Sequence, residues 1–225
     1  MSYRYILFDL DGTLTNSKEG IGRSVQYALD KMGREVPPME ELDCYIGPPL
    51  DYSFREFAGM EGEDIVKAIA YYRERYSTVG LYENDTYDGI PQLLERLKKA
   101  GKVIALASSK PEFFAIDILK HFHIYEYFDY ISGAIPGGER NSKEEVIQYA
   151  LEIMDISTQE KKRECVMIGD RHYDILGARF FDLDSIGVNY GFAPEGELKE
   201  AGATYVCETV AELEALLLNP LSENE

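Results

Sequence analysis

Cysteine is scarce in this chain of 225 residues, and long apolar runs are missing. The three cysteines, Cys44, Cys165 and Cys207, are odd in number and widely spaced, so neither a disulfide framework nor a cysteine zinc site is expected. No apolar run approaches the ~18 residues of a membrane span. Residues 1–8 are too short and too polar for a signal peptide. We therefore expect a reduced, cytoplasmic protein.

Basic residues are also in short supply, because 23 Lys and Arg face 41 Asp and Glu and the net charge is −18. Nucleic-acid-binding proteins normally carry a basic face, and anionic membranes attract basic segments, so neither is an expected partner. The hydrophobic fraction of 45% is that of a globular protein. If the substrate is an anion, some local feature must reverse the field of the whole protein.

The first apolar segment, residues 5–8, predicts a buried strand, and the pattern after it is helical. Apolar residues recur at helical spacing from Ile21 to Met32, and a second helix is indicated over residues 65–76. No strand is predicted between about residues 15 and 87. The sequence therefore predicts a helical domain over residues 16–85, inserted after the first strand.

From Gly89 onward, predicted strands alternate with predicted helices. The strands are expected at residues 103–107, 130–132, 165–168, 185–188 and 203–206. Such alternation is typical of a mainly parallel sheet covered by helices on both faces. The predicted fold class is α/β, with a Rossmann-like core domain formed by residues 1–15 and 86–225.

Polar side chains follow several of the predicted strands. Asp9 and Asp11 come directly after the first strand, Ser108 after the second, and Asp170 after another, with Asp174 four residues on. Each alone is explained by an ordinary turn or helix cap. Together they are not, because capping does not require carboxylates at several strand ends. Ligands of open α/β sheets bind at the carboxyl ends of the strands, so we expect a functional site there.

Clustered carboxylates repel one another, and a divalent cation relieves this repulsion; oxygen-only ligands suit Mg²⁺. Two capping-box patterns, Ser109-x-x-Glu112 and Ser142-x-x-Glu145, predict helix N-termini near the same edge. Helix N-termini favour phosphate groups. With Lys143, these features indicate an anion site that contains a metal.

The segment Asp9-Leu10-Asp11-Gly12-Thr13-Leu14 resembles the first motif of the haloacid dehalogenase (HAD) superfamily of phosphohydrolases. Ser108, Lys143 and the segment from Gly169-Asp170 to Asp174 fall in order where its other three motifs belong. The resemblance covers nearly the whole chain. It implies a HAD core, with the helical domain as the family's cap of the first type.

Within this superfamily, Gly20-Ile21-Gly22 and the stretch around residue 170 are similar to the phosphoglycolate phosphatase-like and 5′-nucleotidase-like branch. Two positions depart from the usual pattern. Asn16 stands where Asp is more usual, and Ser109 stands where relatives often have Asn. Both departures bear on substrate preference and leave the core chemistry intact.

The resemblance implies a Mg²⁺-dependent phosphatase with two catalytic aspartates. Asp9 would attack phosphorus and form an aspartyl-phosphate. Asp11 would protonate the leaving oxygen and then act as a base toward water. The metal would be held by Asp9, the main-chain carbonyl of Asp11 and Asp170, while Asp174 would orient these ligands or their waters.

The resemblance also implies which groups bind the phosphate. Ser108, with the N–H of Ser109, would hold phosphoryl oxygens. Lys143 would bind phosphate too, and would balance the charge that develops on phosphorus and on Asp9.

The expected partner is a small phosphorylated metabolite, either a nucleoside monophosphate or 2-phosphoglycolate, which the sequence does not rank. Gly47-Pro48-Pro49-Leu50 is either a substrate-facing loop of the cap or a rigid turn between helices. Arg23, Arg55 and His172 are candidate substrate contacts, although all three also fit ordinary solvated positions. Oligomeric state is not readable from this chain.

Three other functions use the same residues. A sugar phosphomutase would form the same aspartyl-phosphate and return it to a sugar, and only contacts from the cap would distinguish it. A dehalogenase is disfavoured, because Asp11 supplies an acid that carbon–halogen displacement does not need. A non-catalytic binding protein on this fold is disfavoured, because all the implied catalytic residues are present.

Overall fold

The computed structural model describes residues 3–138 and 140–219. The chain divides into two compact units. Unit 1 consists of the described parts of Met1–Leu14 and Thr86–Glu225, and unit 2 is Thr15–Asp85. None of the helices within the described ranges is long and apolar enough to cross a membrane.

The described residues form strands and helices in alternation, apart from a helical segment after the first strand. The strands are β1 (Tyr5–Phe8), β2 (Thr15–Asn16), β3 (Asp85–Thr86), β4 (Val103–Pro111), β5 (Tyr130–Ala134), β6 (Cys165–Gly169), β7 (Asp184–Val188) and β8 (Tyr205–Cys207). The helices are α1 (Lys18–Lys31), α2 (Leu50–Ala58), α3 (Glu63–Tyr76), α4 (Ile90–Lys99), α5 (Glu112–His121), α6 (Lys143–Ile153), α7 (Gln159–Arg163), α8 (His172–Phe180), α9 (Glu197–Glu200) and α10 (Val210–Leu218).

Unit 1 is built on a six-stranded parallel sheet with the strand order β5-β4-β1-β6-β7-β8. The central strand β1 pairs Tyr5 with Val103 on one side and with Cys165 on the other. The predicted α/β fold with a parallel sheet and a helical insertion after the first strand is confirmed. This order places the carboxyl ends of β4, β1 and β6 next to one another.

The central strand is apolar because it is covered on both faces. Ile6, Leu7 and Phe8 are fully buried, as expected for an inner strand of a parallel sheet. Leu7 belongs to a hydrophobic cluster that also contains Ile147 from α6 and Ala178 from α8. Ile6 and Phe8 point to the opposite face, since successive side chains of a strand alternate.

One of the two predicted capping boxes is wrong. Strand β4 continues to Pro111, and α5 begins only at Glu112 with Pro111 in extended geometry. Proline disfavours the helical conformation of the residue before it. Lys110 precedes Pro111 and therefore cannot be the first residue of a helix capped by Ser109. The second box is confirmed: Ser142 Oγ accepts from Glu145 N at 3.2 Å, and Glu145 Oε2 accepts from Ser142 N at 3.0 Å.

Unit 2 contains the predicted helices, with α1 packed against α3. The expectation that it holds no strand is wrong at its two ends, where β2 and β3 pair with each other. Each of these strands has only two residues, too few to give a period in the sequence. The loop that contains Gly47 and Pro48 leads directly into α2.

Candidate active site

The site lies at the carboxyl edge of the parallel sheet and begins with Asp9, the residue after β1. The main-chain N–H of Asp9 donates to the carbonyl of Ile168 at 2.9 Å, so the ladder with β6 continues up to this residue. Asp170 follows β6 directly. Because β1 and β6 are neighbours, the two carboxylates meet at one edge of the sheet, as the strand ends predict.

Lys143 is the first residue of α6, and its position is fixed by the Ser142 cap. Its Nζ lies 2.9 Å from Asp9 Oδ1 and 2.7 Å from Asp174 Oδ1, and it donates to the carbonyl of Ala107 at 3.1 Å. Burial alone would lower the pKa of the Lys143 ammonium, but attraction to Asp174 and Asp9 outweighs this and raises it. Both carboxylates therefore favour the charged form of Lys143.

Asp170 is fully buried, and its two oxygens differ. Oδ2 accepts a hydrogen bond from the main-chain N–H of Phe192 at 2.8 Å. Oδ1 is buried and has no hydrogen-bond partner in the described part of the chain. Burial, together with repulsion from Asp174 and Asp9, holds the pKa of Asp170 well above its ordinary value. A buried carboxylate with an unpartnered oxygen of this kind is suited to a cation.

Asp174 completes the acidic cluster. Its Oδ2 accepts from the main-chain N–H of Arg171 at 3.1 Å, and Oδ1 faces Lys143. Burial raises the pKa of Asp174 to about 6, a rise that Lys143 opposes and Asp9 adds to. The family resemblance implies that Asp174 orients the metal ligands or their waters. The structure places its carboxylate in the same group as those of Asp9 and Asp170.

The three buried carboxylates of Asp9, Asp170 and Asp174 fit a metal ion. One ligand oxygen from each lies within 4.8 Å of the others. Three carboxylates around the ammonium group of Lys143 leave an excess of negative charge in a buried place that water screens poorly. All the donors are oxygens and Asp170 Oδ1 is unpartnered within the described ranges, which suits a hard divalent cation such as Mg²⁺.

Two glycines form a tight cradle around Asp170. Gly12 has φ +80°, and a Cβ there would lie 2.0 Å from Asp170 Oδ2. A Cβ on Gly191 would lie 2.3 Å from Asp170 Cβ and 2.4 Å from the carbonyl oxygen of Gly12. The loop that carries Gly191 is held to the first motif by Tyr190, whose hydroxyl donates to the carbonyl of Thr13 at 3.1 Å. Sequence analysis assigns this loop no role.

Ser108 lies near the end of β4, where the pairing with β5 shifts register between Ser108 and Pro111. This irregularity takes Ser109 and Lys110 out of the ladder. Ser108 is buried, and its Oγ accepts from the main-chain N–H of Lys110 at 3.3 Å. Ser109 is half-buried. Both serines therefore lie at the carboxyl edge of the sheet, which also carries Asp9.

Asp11 lies apart from the three clustered carboxylates because a second lysine holds its side chain. Lys110 Nζ is 2.7 Å from Asp11 Oδ2. Sequence analysis leaves Lys110 without a role, although it stands two residues after Ser108. The signal that could have found it is a lysine at the end of a strand that also carries the serine expected to bind phosphate.

His172 and both candidate arginines have acidic partners. His172 Nδ1 lies 2.9 Å from Glu197 Oε1, which also accepts from Arg171 Nε at 3.0 Å. In unit 2, Arg23 pairs with Glu19 at 2.6 Å and with Glu83 at 3.1 Å, while Arg55 lies 3.7 Å from Asp51. Arg23 also lines an open cavity of about 440 Å³ in unit 2, together with Asn16, Lys18, Glu19, Met39, Glu83, Asn84 and Asp85.

Comparison with known proteins places this arrangement in a family. The sequence profile described as haloacid dehalogenase-like hydrolase matches residues 6–188. The chain belongs to this family. The predicted membership of the haloacid dehalogenase superfamily and the predicted enzyme class, a hydrolase of this type, are thereby confirmed.

Individual relatives match over nearly the full chain. A 5′-nucleotidase of Pseudomonas aeruginosa is 42% identical over 217 residues, which are 96% of this chain and 96% of that protein. Tyrosine-protein kinase PtkA of Mycobacterium tuberculosis is 37% identical over 96% of this chain and 73% of its own. The crystal structure of a "predicted phosphatase" from Clostridium acetobutylicum has a TM-score of 0.91 and 45% identity, and the match covers 97% of this chain and 99% of that one.

Proposed function

We propose that this haloacid dehalogenase-like hydrolase is a Mg²⁺-dependent phosphatase of small phosphate monoesters. The observation that carries the proposal is the group formed by Lys143 with Asp9 and Asp174 beside the unpartnered Oδ1 of Asp170. It combines a nucleophile, a fixed cation and an oxygen-only metal site at one edge of the sheet. The similarity to a 5′-nucleotidase over 96% of both chains supports a nucleoside 5′-monophosphate as substrate, with 2-phosphoglycolate as the other candidate.

In the first step, a carboxylate oxygen of Asp9 forms a bond to phosphorus. The ester P–O bond breaks, its electron pair goes to the leaving oxygen, and Asp11 donates a proton to that oxygen. Ser108 and the N–H of Ser109 hold phosphoryl oxygens, and Lys143 balances the negative charge shared by Asp9 and the phosphoryl group. The product of this step is an aspartyl-phosphate at Asp9.

In the second step, a water oxygen attacks phosphorus and the bond to Asp9 breaks. Asp11, now a carboxylate, takes the proton from the attacking water. Asp9, Asp170 and the main-chain carbonyl of Asp11 would hold Mg²⁺, with Asp174 supporting them. When bound, the ion neutralises phosphoryl oxygens and keeps the carboxylates from repelling the substrate.

The helical domain over residues 16–85 is proposed as the part of the chain that selects the leaving group. The core domain of residues 1–15 and 86–225 carries all the residues of the two steps above. Arg23 and Arg55 already pair with acidic neighbours, so a role in binding a second anionic group would require them to exchange these partners.

A phosphotransferase is the second candidate, favoured by the similarity to a protein described as a tyrosine kinase. The same aspartyl-phosphate would pass to a hydroxyl group rather than to water. A sugar phosphomutase belongs to this class too. All of these alternatives share the first step and differ only in the acceptor of the phosphoryl group.

The test is a phosphate-release screen with purified protein over nucleoside monophosphates, sugar phosphates, 2-phosphoglycolate and pyrophosphate, with Mg²⁺ and with EDTA. We expect Mg²⁺-dependent phosphate release that disappears in Asp9→Asn. The matched control is Asp117→Asn, an exposed aspartate on α5, which should keep full activity. Full turnover by Asp9→Asn, confirmed by mass spectrometry, contradicts the proposal. Phosphoryl transfer to a tyrosine peptide or a sugar without phosphate release favours the second candidate.

A further inference from the structure

A second buried lysine stands at the site without a part in the two steps described above. Lys110 Nζ lies 2.7 Å from Asp11 Oδ2, and the two side chains are only 5% and 12% exposed. Exposed ion pairs on protein surfaces are weakly constrained and contribute little. This pair is different, because burial removes water as an alternative partner and makes the geometry of the pair decisive.

The backbone fixes where Lys110 points. Its main-chain N–H donates to Ser108 Oγ at 3.3 Å, within the register shift between Ser108 and Pro111. Pro111 follows directly and restricts the conformation of Lys110 to the extended region. Lys110 is therefore built into the same strand irregularity as Ser108, the proposed phosphate ligand.

The pairing makes the two oxygens of Asp11 inequivalent. Oδ2 faces the ammonium group of Lys110. Oδ1 is buried and has no hydrogen-bond partner within residues 3–138 and 140–219. The oxygen that faces the ammonium group is held in place, so Oδ1 is the oxygen that remains available to a reacting group.

We propose that Lys110 is a positioning residue that holds Asp11 by Oδ2, so that Oδ1 delivers the proton to the leaving oxygen and takes one back from the attacking water. This inference rests on the proposed phosphatase function. As the ester bond breaks, its electron pair moves to the leaving oxygen and the proton on Asp11 Oδ1 follows. As water attacks, its proton returns to Oδ1. Lys110 keeps its own protons throughout and acts only through Asp11.

Two esters can test the role of Lys110, because their leaving groups differ in whether they must be protonated. A nucleoside 5′-monophosphate has an alkoxide leaving group that must be protonated, whereas p-nitrophenyl phosphate releases a phenolate that is stable without a proton. The ratio kcat/KM reports only the steps up to departure of the leaving group. It therefore isolates proton donation by Asp11 from its later role toward water.

We expect Lys110→Met to lower kcat/KM for the nucleotide about 10- to 100-fold, a part of the ~10²–10⁴ that general acid catalysis supplies. For p-nitrophenyl phosphate the loss should stay below about threefold. Lys110→Arg, which can also donate to Oδ2, should restore most of the nucleotide activity. Lys98→Met is the matched control. It removes a lysine that is paired with Asp129 at 2.6 Å, and it should change kcat/KM for neither ester.

A double-mutant cycle separates positioning from a direct contact with phosphate. Because Lys110 acts through Asp11, Asp11→Asn combined with Lys110→Met should be no worse on the nucleotide than Asp11→Asn alone. Circular dichroism and thermal melting establish that each variant is folded. If Lys110→Met does not fold, Lys110→Gln takes its place in the same comparison.

Two results would overturn the assignment while leaving the phosphatase proposal intact. One is an equal loss of kcat/KM for the nucleotide and for p-nitrophenyl phosphate in Lys110→Met. The other is a double variant whose kcat/KM for the nucleotide is lower than that of Asp11→Asn by the same factor that Lys110→Met alone causes. A wild-type protein that releases no detectable phosphate from p-nitrophenyl phosphate or from any ester of the screen described above would instead overturn the proposed function itself, and the assignment of Lys110 with it.

Discussion

Lys143 Nζ lies 2.9 Å from Asp9 Oδ1, which joins the first residue of α6 to the residue that follows β1. The same nitrogen lies 2.7 Å from Asp174 Oδ1. One buried cation thus compensates part of the charge of three buried carboxylates. The stability of the core and the proposed chemistry therefore depend on the same lysine.

Replacing Lys143 should destabilise the metal-free protein strongly. Lys143→Met leaves buried carboxylates without their cation, and breaking a buried pair in this way costs about 3–5 kcal/mol. The free energy of unfolding, measured by urea denaturation in EDTA at neutral pH, should fall by that amount. Lys199→Met, at an exposed position of α9, should change it by less than about 0.5 kcal/mol. A loss no larger than that of the control would show that Lys143 does not compensate the cluster.

The stability gained from Mg²⁺ should grow as the pH rises. Burial raises the pKa of Asp174 to about 6 and that of Asp170 well above its ordinary value. The folded, metal-free protein thus keeps protons that the unfolded chain releases, and its stability falls as the pH rises through the range between the unfolded and folded pKa values. Bound Mg²⁺ removes this penalty.

The measurement for this pH dependence is the melting temperature with Mg²⁺ and with EDTA at about pH 5, 6 and 7.5. The difference between the two conditions should increase along this series. In Asp174→Asn the increase should be smaller, because one of the titrating carboxyls is gone. A difference that is constant with pH would contradict the raised pKa values.

Gly12→Ala should weaken metal binding beyond the effect of backbone strain. A Cβ at Gly12 would lie 2.0 Å from Asp170 Oδ2, so the carboxylate must move. Gly101→Ala is a close control, because Gly101 has φ +74° against +80° at Gly12 and nothing lies within 4 Å of its Cβ position. Mn²⁺ affinity, measured by electron paramagnetic resonance without substrate, should fall at least about tenfold in Gly12→Ala, in the range seen when groups that orient metal ligands are lost. Equal affinities in the two variants would argue against the cradle.

Ser142→Ala should affect both stability and turnover. Loss of an N-cap hydroxyl typically costs about 1 kcal/mol, here at the helix that begins with Lys143. We expect that loss in urea denaturation together with a several-fold lower kcat. Thr158→Ala removes the cap of α7, where the side chain of Thr158 accepts from Lys161 N, and should lower stability without lowering kcat. A kcat that Ser142→Ala leaves unchanged would mean that the cap does not help to place Lys143.

The elements with strong patterns were predictable from the sequence. Apolar runs locate β1 and β6, and because the polar residues Asp9 and Asp170 follow them directly, the edge that carries the site follows from topology. The end of β4 was not predictable in the same way. The residues after Ala107 are polar like those of a turn, yet they continue the strand because Pro111 holds the chain extended.

The parts of the site that escaped prediction depend on contacts between residues far apart in the chain. The hydrogen bond from Phe192 to Asp170 comes from a main-chain N–H, which any residue except proline supplies, so no residue type marks it. The pairing of Lys110 with Asp11 depends on the irregular end of β4, which lies outside any period. The acidic cluster was expected from strand ends, but the place of Asp174 in it depends on the first turn of α8.

The parallel sheet has a consequence for how this protein forms during synthesis. Its central strand β1 leaves the ribosome before both of its partner strands, because it pairs with Val103 on one side and Cys165 on the other. These pairings close long loops, which slows folding. Unit 2 spans Thr15–Asp85, so all of its residues are made long before β6 emerges. Asp9 is thus made well before Lys143, Asp170 and Asp174, and the pocket around it can assemble only after those residues have been translated.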